Sequence, residues 1–308
     1  MSIINSEVIA LNITEYERCT LCARGCGVNR YSRLGYCKSP RDVYVTRAAL
    51  HQWEEPPISG TGGSGTIFFS GCSLGCIFCQ NREISRGIAG DAVSEEKLAS
   101  IMLNLENKGA HNINFVTPTH YAPSIIRATR IAREQGLSIP IVYNTGTYDT
   151  VETIKSLNGI VDIYLPDFKY YKSETAEKYS NARDYFSVAK DAIAEMYRQR
   201  GKAMFDENGI MISGVIVRIL LLPGHLAEAK LSLKYLLDTY GDDIYISLMN
   251  QYTPMPDMPK PLNRKITHAE YNELLSYAER LGLKNGFFQD IGTAEEGFIP
   301  DFDGTGVK

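Results

Sequence analysis

From residue 65 onward, short runs of β-branched and aromatic residues alternate with longer amphipathic stretches, and this alternation constrains the fold more than any other feature. The runs are GTIFFSG (65–71), NINFVT (112–117), SIPIVYN (138–144), IVDIYLPD (160–167), MISGVIVRILL (211–221) and DIYISLMNQ (243–251). Segments with helical character fall near 94–108, 122–136, 148–157, 173–201, 225–240 and 267–282. Ser94, with Lys97 rather than an acid three residues on, and Pro123 in the first turn of the next segment are helix-start signals. Strands each followed by a helix require a parallel sheet with right-handed crossovers. Six such units predict an α/β fold, a full or partial (β/α)6-type TIM-like barrel.

In that architecture reactive groups collect on the loops that follow the carboxyl ends of the strands. The first such loop, GCSLGCIFCQN (71–81), carries Cys72, Cys76 and Cys79. Later strand ends read FVTPTHY, YNTGTYD, LPDFKYY, RILLLPGH and NQYTP, polar and punctuated by glycine or proline, as expected of one shared cavity. The glycine-rich ISGTGGSGTIFF (58–69) lacks the Lys-Ser/Thr pair of a phosphate loop and leads into a strand, so it reads as a turn.

All seven cysteines lie within the first 79 of 308 residues. The opening residues lack the basic start and apolar middle of a signal peptide, and we expect a reducing cytoplasm. There, an odd number of crowded cysteines indicates metal ligation rather than disulfides. Cys19, Cys22, Cys26 and Cys37 form one group, C-x2-C-x3-C-x10-C, and the loop triad C-x3-C-x2-C forms another. We therefore divide the chain into a cysteine-rich metal-binding appendage over 1–57 and a βα barrel over 58–308. A net charge of −4 with scattered Lys and Arg offers no footprint for nucleic acid. No apolar run is long enough to span a bilayer.

Four thiolates in the appendage suit either zinc or an iron–sulfur cluster. Three thiolates in the loop suit a 4Fe-4S cluster with one iron left open to a chelating ligand. A non-catalytic electron carrier or binding module is the competing reading, but a carrier has no use for an open iron.

Cys72-x3-Cys76-x2-Cys79, with Phe78 before the last cysteine and a first barrel strand before the loop, resembles the cluster loop of the radical S-adenosylmethionine (radical SAM) superfamily. FSGCSLGCIFCQN, LPDFKY, VRILLLPGH and the cluster written CTLCARGCGVNRYSRLGYC resemble an uncharacterised branch related to pyruvate formate-lyase activating enzyme. The resemblance implies an enzyme that cleaves S-adenosylmethionine reductively to a 5′-deoxyadenosyl radical, which abstracts hydrogen from a substrate. It implies a reducing partner such as flavodoxin or ferredoxin, and a glycyl-radical enzyme or peptide as target.

For cofactor binding, the resemblance and the strand-end positions single out Phe78, Thr117, His120, Asp167, Lys169 and Arg218. The family's usual GGE-type stretch is replaced by Thr117-Pro118-Thr119-His120. Four of these residues also have ordinary structural readings. His120 can be a satisfied turn histidine, Asp167 and Lys169 can form an ion pair, and Arg218, inside an apolar strand, can be met by a buried acid.

Overall fold

The computed structural model describes residues 14–289 and 300–307. Its strands are β1 (Val43–His51), β2 (Ser64–Phe69), β3 (Asp91–Val93), β4 (Ile113–Val116), β5 (Ile141–Thr145), β6 (Ile163–Pro166), β7 (Met204–Phe205), β8 (Met211–Leu220), β9 (Tyr245–Met249) and β10 (Gly286–Phe288). The helices are α1 (Thr14–Glu17), α2 (Pro56–Ser59), α3 (Arg82–Ser85), α4 (Glu95–Asn107), α5 (Ala122–Glu134), α6 (Val151–Ser156), α7 (Ser173–Ser180), α8 (Tyr185–Arg200), α9 (Leu226–Tyr240) and α10 (His268–Arg280). All six expected runs are strands.

The sheet order is β10-β9-β8-β6-β5-β4-β2-β1-β3, with β7 paired to β8. Neighbours from β2 to β10 along that path run parallel. The edges do not meet, so the barrel is the partial form. Every residue of β2, β4, β5 and β6 is buried. Such strands are covered on both faces, by helices outside and by the cavity lining inside.

Local chemistry accounts for the helix ends. The Ser94 hydroxyl accepts from Lys97 N–H to cap α4, and Thr267 with Glu270 forms a capping box on α10. The expected helix 173–201 is two helices. Asn181, in the left-handed region at φ 48°, ends α7, and its N–H returns to Glu177 O while Ala182 N–H returns to Ala176 O. The expected segment 148–157 shortens to α6, capped by Thr150.

Sequence reading missed β1, which pairs antiparallel with β2 from Val45↔Phe69 to His51↔Ser64. The sheet thus begins inside the stretch 1–57 that was set apart as the appendage. Because β1 runs against β2, the segment after His51 arrives at the amino-terminal ends of the parallel strands and closes that end of the barrel.

Candidate active site

A cavity of about 590 Å³ runs through the open barrel, within the 300–1,000 Å³ range of small-molecule sites. Cys72, Phe78, Thr117, Asp167, Lys169 and Arg218 all line it, together with Cys76 and Cys79. His120 does not line it. Its ring is 1% exposed and Nε2–H donates to Ser70 O at 2.7 Å, which leaves Nδ1 buried without a partner. Burial, then the nearby Arg30, hold its pKa down to about 3. His120 sits in the 3-10 turn Thr119–Tyr121, outside the cavity lining, so the expectation that it contacts cofactor is not met by its position, and with Nδ1 unpartnered it is not the fully satisfied turn histidine either.

The cysteine loop is fixed by backbone and side-chain contacts. Gly71 sits at φ 87°, and a Cβ there would lie 2.0 Å from Ser39 Oγ and 2.6 Å from Cys37 O. Only glycine passes this point. Leu74 N–H donates to Cys72 Sγ at 3.4 Å, the Ser180 hydroxyl to Cys76 Sγ at 3.0 Å, and Arg86 to Cys76 O at 2.8 Å. Gln80 donates to Gln251 O at 2.9 Å, which ties the loop to the end of β9. Phe78 meets Tyr170, Tyr179 and Tyr252 edge-on at 6.2–6.4 Å.

Burial, then the neighbouring Cys76 and Cys79, push the Cys72 thiol up to about 12. Burial likewise raises Cys79, with Cys76 the next contributor. The three sulfurs are thus mutually in electrostatic reach. A metal that takes them as thiolates must displace their protons, which couples binding to pH. Among the described residues no His, Cys, Asp or Glu trio is closed onto a single-ion position. A cube instead seats each thiolate on a different iron, and three sulfurs from one loop on one cavity wall fit that donor set.

Below the loop lies a charged layer. Arg218, 12% exposed in its side chain, donates from Nε to Asp167 at 2.7 Å, from Nη1 to Glu54 at 3.2 Å and from Nη2 to Asn144 Oδ1 at 2.6 Å. Lys169 Nζ donates to Asp167 at 2.7 Å. Glu54 also accepts from Asn114 at 3.1 Å and Asn144 at 3.4 Å. Burial raises Glu54, and Arg218 opposes the rise. Burial also favours the acid form of Asp167, but Arg218 and Lys169 outweigh it and hold the carboxyl below its ordinary value.

Both bland readings, the Asp167–Lys169 ion pair and the buried acid for Arg218, are therefore realised, and in the cavity wall itself. Thr117, at φ 59°, donates N–H to Asn144 O at 2.9 Å, a strained backbone at the strand end. Glu54, Glu55 and Asn144 were missed by sequence reading. The adjacent acids before Pro56-Pro57 were the available signal, but no strand was assigned there to place them.

The four amino-terminal cysteines are within electrostatic reach of one another, although among the described residues they too form no single-ion position. Cys22 is raised by burial and then by Cys37, Cys19 and Cys26. Cys19, Cys22 and Cys37 are buried while Cys26 is exposed, and all are free thiols. Arg24, between two of them, donates to Ser73 O at 2.9 Å, Ser180 O at 2.7 Å, Leu74 O at 3.3 Å and Asn181 O. It lies over the rings of Tyr36 and Tyr148. The cysteine-rich segment is thereby clamped onto the loop of Cys72 and Cys76.

Among the described residues no helix is long and apolar enough to cross a membrane. The family model of the radical SAM superfamily matches residues 66–236. The uncharacterized protein MJ0674 of Methanocaldococcus jannaschii is 30% identical over 292 residues, 89% of this chain and 78% of that protein. Among solved structures, methylornithine synthase (PylB) aligns at TM-score 0.51 and 17% identity over 86% of this chain and 68% of its own, a likeness of fold. Streptococcus suis SuiB bound to S-adenosylmethionine aligns at TM-score 0.46 and 14% identity over 72% of this chain. The chain spans about half the length of SuiB, 48%.

Proposed function

The chain belongs to the radical SAM superfamily, and on that premise we propose that it is an enzyme whose Cys72, Cys76 and Cys79 hold a 4Fe-4S cluster with S-adenosylmethionine at the fourth iron. When bound, that pair supplies a 5′-deoxyadenosyl radical able to take a hydrogen atom from a substrate. The observation that carries this reading is the placement of three cysteines from one loop on the same cavity as the Asp167–Lys169–Arg218 network.

The chain's own residues do the positioning. Phe78, boxed by three tyrosines, keeps water from one side of the cysteine loop. Asp167 and Lys169 offer an acceptor and a donor to the charged end of the cofactor, and Thr117 offers its strained backbone. Arg218 holds Asp167 in place.

The target in this reading is a glycyl residue of a partner enzyme or another peptide, with a flavodoxin or ferredoxin as reductant in the cytoplasm. Cys19, Cys22, Cys26 and Cys37 hold a second centre, zinc or a second cluster. Iron and zinc counted per chain in wild type and in a Cys19→Ser/Cys22→Ser variant distinguish the two. For the main reading, the protein is loaded with iron and sulfide anaerobically, reduced and given S-adenosylmethionine. 5′-Deoxyadenosine is expected, and its absence from protein with demonstrated iron refutes the reading.

A further inference from the structure

From Arg18 to Arg41 the chain carries six basic residues and no acidic one. The remainder holds the other 26 basic residues against all 36 acidic ones, so a cationic segment sits on an anionic body. Arg24 and Arg30 give their donors to backbone carbonyls and lie over tyrosine rings, which leaves their charge uncancelled. Of the six, only Arg41 meets a carboxylate among the described residues, at 3.5 Å from Asp42 and 3.7 Å from Glu95. Arg33 and Lys38 are exposed. A zinc ion on Cys19, Cys22, Cys26 and Cys37 leaves the segment cationic, because four thiolates around it carry two negative charges against six positive.

The same segment presents apolar surface to solvent. Tyr31, Leu34 and Tyr36 are 52%, 42% and 37% exposed, and tyrosine beside arginine is the composition in which protein interfaces are enriched. Tyr36 stands against the cysteine loop. Its hydroxyl donates to Leu74 O at 3.4 Å and its N–H to Cys26 Sγ at 3.4 Å. Gly75 is half-buried, and a Cβ there would meet only the Tyr36 side chain at 3.7 Å and Arg86 Nη1 at 3.9 Å. The backbone between Cys72 and Cys76 thus reaches the surface between an aromatic ring and a guanidinium. Neither Tyr36, Gly75 nor Arg86 lines the cavity, so this is the outer face of the loop. A hydrogen-bonded path leads inward from exposed Cys26 through Tyr36 and Leu74 to Cys72, whose sulfur accepts from Leu74 N–H.

We propose that this outer face, formed by Cys26, Arg33, Leu34, Tyr36, Lys38 and Arg86, docks a small acidic one-electron carrier protein that reduces the loop cluster. The proposal rests on the cluster reading of Cys72, Cys76 and Cys79 and gives its reductant a place. One electron leaves the reduced flavin or iron–sulfur centre of the carrier and enters the cluster; no bond and no proton changes hands. Opposite charge speeds the encounter and fixes its orientation, while the anionic remainder of the chain repels an acidic partner from other faces. The carrier sits behind the loop and leaves the cavity clear.

Two measurements on the iron-loaded full chain test this. Calorimetry reads the binding of an oxidised flavodoxin and, in a second arm, of an oxidised 2Fe-2S ferredoxin. Rapid-freeze electron paramagnetic resonance reads the rate at which each reduced carrier reduces the cluster. Illuminated 5-deazaflavin, a small uncharged reductant that needs no docking, is the control. Binding and carrier-driven reduction are expected to weaken as ionic strength rises from about 0.1 to 1 M, across which the Debye length shrinks from about 10 to 3 Å. The deazaflavin rate is expected to hold. The carrier that binds tighter and reduces faster identifies the partner as a flavin or an iron–sulfur protein.

Arg33→Glu/Lys38→Glu, with iron content and melting temperature matching wild type, is expected to weaken carrier binding and slow carrier-driven reduction by about 10-fold or more, with the deazaflavin rate unchanged. Equal binding of both carriers by wild type and variant, or binding indifferent to salt, overturns the proposal. The salt series needs no variant, so a misfolded variant leaves the test intact. If 5′-deoxyadenosine forms under deazaflavin while neither carrier binds, the docking face alone is refuted. If no 5′-deoxyadenosine forms from iron-loaded protein under deazaflavin, the enzymatic reading fails, and carrier binding still decides the face by itself.

Discussion

Replacing Arg24 by Ala removes the guanidinium that clamps the amino-terminal cysteine group to the loop of Cys72, Cys76 and Cys79. The structure gives it four acceptors, and two of these, Ser180 O and Asn181 O, are carbonyls at the end of α7. A cation is favoured there, because the last carbonyls of a helix lack intrahelical partners and carry the negative end of its dipole. Net hydrogen bonds to charged groups are worth about 1.5–3 kcal/mol each. Arg24 is half-buried and water can rehydrate part of what is released, so crediting only two gives about 3 kcal/mol. With an unfolding entropy near 2.1 cal/mol/K per residue, that corresponds to a melting shift of roughly 5 °C in a chain of this length.

The local effect is larger than the global one, because Ser73 and Leu74 lie inside the Cys72–Cys76 interval. Amide exchange across residues 72–79 should accelerate in the variant, and chelator-driven iron loss should be faster. Arg24→Lys keeps the charge but not the fork and should recover part of both. Unchanged melting together with wild-type exchange at residues 72–79 would show that the clamp is incidental to the loop.

Cys76→Ala should lose the loop cluster and 5′-deoxyadenosine formation together, checked by iron content and product chromatography; retention of both refutes the ligand assignment. Arg218→Met leaves Asp167 and Glu54 without their shared cation, and chemical denaturation should register a loss of about 3–5 kcal/mol, the usual cost of breaking a buried pair from one side. His120, held down to about 3 in the fold, takes up a proton only in the unfolded chain between that value and its ordinary value of 6.5. The unfolded state binds more protons in this window, so the contribution of His120 is complete above pH 6.5 and is lost as pH falls toward 3. Denaturant midpoints of wild type and His120→Gln across that range should therefore converge with acidification, and parallel curves would refute it.

The βα alternation was legible because strand and helix periodicities are local properties of the chain. The break at Asn181 was not, since SNARD interrupts the helical pattern only through a left-handed residue whose value depends on what packs beside it. The strand β1 escaped notice because its alternation sits among cysteines and prolines, and its pairing to β2 is a long-range contact. Glu54 and Glu55 became part of the cavity only through that pairing, which delivers them to the foot of the barrel beside Arg218. Asp167, Lys169 and Arg218 were identifiable as strand-end or buried charges, yet their mutual partners were open until β6 and β8 were set side by side.

The sequence by itself determined the candidate donors: three cysteines at C-x3-C-x2-C spacing after a first strand, and four more upstream. Ligand spacing within one loop is a short-range property, so it survives reading without a structure. The tertiary structure decided the rest. It set His120 apart from the cavity lining, paired Arg218 with Asp167 and Glu54, and placed Arg24 across the loop of Cys72 and Cys76. Each of these depends on contacts between residues far apart in sequence, where burial sets the cost of every charge and only the fold determines which partner is within reach.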